Sequence, residues 1–120
     1  MRRALVLILL IGSVGVVDAL AQMEIVEMPS RTAKVLAGIV TDPSGAPLEG
    51  VLVEERSSNW ANVLRSTKTD AKGLFHFSST KKQNTYYLQF GRTGFNWARL
   101  TVKVHRHGEP KIMLQMPIGT

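Results

Sequence analysis

The sequence predicts an all-β domain, an antiparallel β-sandwich of about seven strands, carried behind a cleaved signal peptide. Three observations point there. Short runs alternate apolar and polar residues with the two-residue period of a strand. Turn signals built from Gly, Pro, Asp and Asn recur roughly every 8–12 residues. Beyond the opening segment, no stretch shows the helical period.

The opening segment is of another kind. Arg2 and Arg3 form a positive start, residues 4–17 are an apolar run, and Ala19-Leu20-Ala21 is an A-x-A cleavage signal. The run falls short of the roughly 20 residues that span a bilayer as a helix. The chain of 120 residues therefore divides into a signal peptide (1–21), a lead (22–33) and one domain (34–120). The expected location is outside the cytoplasm, periplasmic or extracellular. With no cysteine, the domain has no disulfide staple and no site for a lipid-modified N-terminus, so its core alone must hold it. Cleavage removes two basic residues and one acidic residue, taking the formal charge from +6 to +5. Such a basic exported domain suits acidic proteins, lipid head groups or anionic polysaccharide. Nucleic acid is disfavoured, because no basic-aromatic binding motif is present. The plainer reading of the charge is a solvated surface.

Residues 22–33 lack a clear period and read as a flexible lead or a short edge segment. Lys34 to Thr41 is the first strand: Leu36, Gly38 and Val40 share one face, and Val35, Ala37 and Ile39 the other. Apolar residues on both faces suggest a central or doubly covered strand. Asp42-Pro43-Ser44-Gly45 supplies a tight turn, and Pro47 and Gly50 keep the return irregular. Val51 to Arg56 follows, with Val51 and Val53 on one face. Val63 to Thr69 is a strand of mixed polarity. Asp70-Ala71-Lys72-Gly73 turns the chain into Leu74 to Ser78, where Phe75 and Phe77 oppose His76. Tyr86, Leu88 and Phe90 alternate with Tyr87 and Gln89. From Phe95 to His105 the apolar phase changes midway, from odd to even positions, so a bulge or a kink near Ala98-Arg99 is expected. Ile112, Leu114 and Met116 end the domain.

Two spaced motifs stand out. The first is G-x-V-x-D-x-x-G-x-P-L-x-G-V-x-V, filled by Gly38, Val40, Asp42, Gly45, Pro47, Leu48, Gly50, Val51 and Val53. The second is T-D-x-x-G-x-F-x-F, filled by Thr69, Asp70, Gly73, Phe75 and Phe77. Tyr86, Leu88 and Gly94-Phe95 follow in order. On these residues the chain resembles the carboxypeptidase regulatory-like domain, a transthyretin-like (prealbumin-like) sandwich. The resemblance implies a non-catalytic accessory module of the kind found beside zinc carboxypeptidase domains and in bacterial exported and outer-membrane proteins. It carries over structural positions rather than catalytic ones.

Candidate chemistry is sparse. His105, His107 and Glu109 share one side of an extended segment, a spacing that suits zinc or copper, but nothing in the sequence supplies a second shell. His76 reads as a surface histidine. Asp42 and Asp70 occupy turn positions where a carboxylate bonds local amides. G-x-S-x-G, a phosphate loop, H-E-x-x-H and the zinc-carboxypeptidase H-x-x-E are absent, as is the C-terminal Tyr-Arg-Gly-Ser of related hydroxyisourate hydrolases. No enzyme, cofactor or metal is expected.

The contact candidates are Asn59, Trp60 and Asn62, whose loop could stack on a sugar or meet a partner. Trp97, alternating with Phe95, reads as core. Arg99, Lys103 and Arg106 suggest a basic face, to which the Lys81-Lys82 loop could add. The expected function is an exported binding or scaffolding module for a protein or cell-envelope partner. The alternative is a small carbohydrate-binding protein using the Trp60 loop.

Overall fold

The computed structural model describes residues 24–78 and 84–118. The expected signal peptide and the Lys81-Lys82 loop lie outside the described residues. Nine strands follow one another: β1 (Ile25–Glu27), β2 (Arg31–Ala33), β3 (Ala37–Thr41), β4 (Leu52–Arg56), β5 (Val63–Lys68), β6 (Leu74–His76), β7 (Thr85–Gly91), β8 (Trp97–Val104) and β9 (Ile112–Gln115). Among the described residues there is no helix.

Two sheets face each other. The larger has six strands in the order β1-β8-β7-β4-β5, with β2 continuing along β8 beyond β1; the smaller is β6-β3-β9. Strands β3 to β9 correspond in order to the expected runs. The two additional strands come from the lead: of its two readings, flexible or edge segment, its described part takes the second and pairs with β8 as an interrupted edge. The sheets are mixed rather than purely antiparallel, because β1 and β2 run parallel to β8, and β3 parallel to β9. A parallel pair needs a long crossover. Here the intervening strands of the other sheet supply it.

The core is the product of alternation. Val51, Val53, Tyr86, Leu88, Phe90, Leu100 and Val102 point inward from the large sheet. Leu36, Val40, Phe75, Ile112, Leu114 and Met116 meet them from the small one. Phe75 and Phe90 touch edge to face across the layers, with centroids 5.4 Å apart. Each such buried side chain stabilises the fold by about 1.5–3 kcal/mol relative to its exposed state. Strand β3 is central in its sheet but covered on one face only: Val35 is exposed and Ile39 half-buried.

Strand β8 contains no bulge. Its register with β7 runs unbroken from Thr85–Lys103 to Phe90–Ala98. Phe95 precedes the strand, so its parity does not carry into it, and Trp97 points outward. The irregularity in the large sheet lies instead between β4 and β5, at Glu55/Arg56.

The two Asp turns are built alike. Asp42 Oδ1 accepts the N–H of Ser44 and of Ala46, and Asp70 Oδ1 accepts the N–H of Lys72 and of Leu74. The Ser44 hydroxyl also donates to Asp42, and this bond, ahead of the amides, holds the Asp42 carboxyl below its ordinary range. Glu109 is lowered too, by the Arg31 side chain that bonds both of its oxygens. Both carboxyls are more acidic folded than unfolded. Their stabilisation is therefore complete above the ordinary carboxylate pKa of about 4 and is lost as pH falls through the lower folded values. Urea midpoints are expected to drop in that window, and the double variant Asp42→Asn, Glu109→Gln to show a flatter acid limb. Parallel limbs for variant and parent would assign the acid sensitivity to other groups.

Candidate functional site

Three regions of the surface carry candidate chemistry: the outer face of the large sheet, its free edge, and a cleft at one end of the same face.

On the outer face, side chains stand in rows across the strands. One row runs Ser66, Glu54, Gln89, Arg99 and Glu27 across β5, β4, β7, β8 and β1. The Arg99 Nε–H donates to Gln89 Oε1 at 2.9 Å, and its guanidinium lies 3.9 Å from Glu27. Arg56 pairs with Glu54 at 2.8 Å and donates to the Trp60 carbonyl at 2.9 Å.

The loop after β4 folds back onto these rows. Trp60 meets Tyr87 edge-on at 5.5 Å, and the Arg99 guanidinium sits 4.7 Å over the Trp60 ring. Trp60 has φ 66°, a left-handed conformation costly for a bulky residue. The loop's own bonds hold it there. Ser57 Oγ donates to Asn59 Oδ1, the Ala61 N–H donates to that same oxygen, and the Asn62 N–H donates to Ser57 Oγ. Asn59 therefore spends its carboxamide oxygen on the loop. Asn59 and Asn62 are exposed and Trp60 is half-buried.

The structure thus joins Trp60 to Arg99, residues the sequence places in two separate candidate sites. The other two basic residues stand apart from this pair. Lys103 is exposed on the same face with no ion pair among the described residues, and Arg106 lies past the end of β8, bonded to His107 Nε2 at 3.3 Å. His105 Nδ1 accepts the His107 N–H, while Glu109 is taken by Arg31. The three potential ligands do not converge, and the described residues hold no group of three metal-ligating side chains. His76 is exposed, opposite Phe75.

The strand edges differ in how they are protected. The β1/β2 edge is broken by Met28-Pro29-Ser30. Along β9, Arg31 donates to the Met113 carbonyl at 3.1 Å and clamps Glu109 beside it, stitching that seam of the sandwich. Strand β6 is only three residues long. Strand β5 has six residues and pairs on one side with β4, and no described strand lies on its other side. Val63 and Leu64 on β5 are 47% and 55% exposed. Beside it, the seam between β5 and β6 opens into a groove of about 480 Å³. Lys68, Asp70, Leu74, His76 and Lys111 line the groove. At the far end of the seam, Arg65 closes the gap by pairing with buried Glu55 and donating to the Ser78 carbonyl.

The cleft lies where β4, β5, β7 and β8 bring Leu52, Lys68, Gly91 and Trp97 together; it has a volume of about 630 Å³. Gly91 allows the indole of Trp97 to lie on the sheet. A Cβ at Gly91 would stand 2.1 Å from Trp97 Cζ3 and 2.4 and 2.5 Å from Cε3 and Cη2. The distances to the two atoms flanking Cζ3 are barely longer than that to Cζ3 itself, which puts the point over the ring rather than beyond its edge, so the ring covers Gly91 face-on. Trp97 lines the cleft and is half-buried on the surface rather than part of the core. Sequence reasoning missed this arrangement, although the hairpin signal was available: pairing Phe90 with Ala98 brings Gly91 opposite Trp97 one position further on.

No curated protein sequence matches the chain. The profile of the carboxypeptidase regulatory-like domain, a regulatory rather than catalytic module, matches residues 35–117. That span takes in β3 to β9, both sheets of the sandwich and both Asp turns. The chain belongs to the carboxypeptidase regulatory-like domain family.

Proposed function

We propose that the chain is an exported, non-enzymatic binding module that holds a protein partner of the cell envelope by strand addition to β5. One observation carries the reading. Among the described residues, β5 is a six-residue edge with exposed apolar residues and no strand on its outer side, whereas the β1/β2 edge is interrupted, β6 has three residues, and β9, of four, gives its Met113 carbonyl to Arg31. Open edges invite pairing, and proteins that do not use them blunt them with charge, proline or a covering segment. An added strand would gain main-chain hydrogen bonds from the edge and place alternate side chains in the adjoining groove. Lys68 and Lys111 outnumber Asp70 there, which favours a partner segment mixing apolar and acidic residues.

The carbohydrate reading through Trp60 has less support. A sugar needs a free aromatic face, and the Trp60 ring carries Arg99 on one side and the edge contact with Tyr87.

Site-specific photo-crosslinking in the producing cell tests the proposal. A crosslinker at Leu64 is expected to give a discrete adduct, and one at Met113, equally exposed on the small sheet, to give none. A Val63→Lys change should abolish the Leu64 adduct, since charge on the edge repels pairing. Equal adducts at both positions, or no loss with Val63→Lys, would overturn the β5 assignment.

A further inference from the structure

We infer that the Trp97 cleft is a second binding site, for a carboxylate-bearing sugar unit of the uronate type. The site shares Lys68 with the groove beside β5 but takes its other walls from different segments, and its ligand is read from those walls. The apolar part of the lining is the Trp97 indole and Leu52, and an aromatic ring suits the C–H face of a pyranose. The rim carries two cations, Lys68 and Arg92, both exposed and neither in an ion pair among the described residues. Arg92 offers the planar fork that fits a carboxylate. The Thr93 hydroxyl and the Glu49 carboxylate complete the wall. Glu49 accepts hydrogen bonds from sugar hydroxyls, and it repels a dianionic group such as a phosphate monoester. The cleft therefore favours a ligand with one negative charge and many hydroxyls. Its volume of about 630 Å³ falls within the range usual for small-molecule sites.

The geometry also explains two residues that the sandwich itself does not need. Gly91 is not in a glycine-only conformation; any residue could take its backbone angles. Its lack of a side chain seats the indole flat. Trp97 in turn stays half-buried and lines the cleft together with the two unpaired cations.

Calorimetric titration of the full chain with trigalacturonate, a galactose trisaccharide and inorganic phosphate tests the inference. Saturable binding of trigalacturonate is expected, with the neutral sugar and phosphate each at least ~10-fold weaker. Arg92→Gln and Lys68→Gln, both surface changes, should each weaken trigalacturonate roughly 5- to 20-fold. Gly91→Ala should lift the indole and weaken all sugar binding, while Trp60→Phe should change nothing. Val63→Lys, which tests the β5 edge, should leave the affinity intact, so the two proposals stand or fall separately. No saturable binding of trigalacturonate would overturn the site. So would equal affinity for the neutral sugar or for phosphate, or indifference to Arg92→Gln.

Discussion

Replacing Gly38 by alanine is expected to destabilise the domain by about 3 kcal/mol or more, at the upper end for overpacking. Gly38 is the second residue of β3, the central strand of its sheet, opposite Ile112 of β9 and Phe75 of β6. A Cβ there would stand 2.2 Å from the Ile112 carbonyl oxygen and 2.8 Å from the Ile112 Cβ. The first obstacle is backbone held in a parallel ladder, and it has no rotamer to escape into. Relief requires β9 to move away from β3, which would disturb Leu114 and Met116 in the core behind it. A domain of this size has only about 5–15 kcal/mol of stability. The urea midpoint should fall sharply with the m-value unchanged. A midpoint within error of the parent would mean that β9 can move off β3 without loss of packing.

Thr69→Val is expected to cost about 2–4 kcal/mol although it keeps the shape of the side chain. The Thr69 hydroxyl is buried and works in both directions. It donates to the Leu48 carbonyl at 2.6 Å and accepts the Val51 N–H at 2.9 Å. Valine would leave one buried acceptor and one buried donor without a partner, each costing about 1–3 kcal/mol. Thr69→Ser keeps both bonds and loses one methyl, so it should cost only about 1 kcal/mol. Chemical unfolding of the two variants separates the effects. If valine and serine are equally destabilising, packing rather than hydrogen bonding is what Thr69 contributes. The function of this contact is local to the fold: it ties the irregular return before β4 to the end of β5. The entry to β4 therefore sets how β5, the open edge, is presented.

The functional surface was legible only in pieces. Trp60, Arg99 and Lys103 are conspicuous as residue types, and the sequence assigns the first to a loop and the others to a basic face. Three-dimensional structure spends Arg99 on Trp60, Gln89 and Glu27, so it offers no free charge to a ligand. Lys68 and Arg92, neither of which has a distinctive local setting in the sequence, are the cations that converge on one cleft.

What the sequence determined by itself is everything that depends on neighbours a few residues apart. Strand alternation put Tyr86, Leu88 and Phe90 inside, and the Asp turns at Asp42 and Asp70 formed as their spacing implies. The spaced motifs were enough to reach the family. Tertiary structure alone decided which strands run parallel, which long edge has no described neighbour and which tryptophan lines the cleft. Those outcomes turn on meetings between distant segments. The lead lies along β8 because β8 has an unpaired side to fill. Arg31 covers β9 because Glu109 is there to hold it. Trp97 faces outward because strand parity starts anew at β8, after the turn that contains Phe95. A two-residue period carries information only within an unbroken strand, and at that turn the chain breaks it.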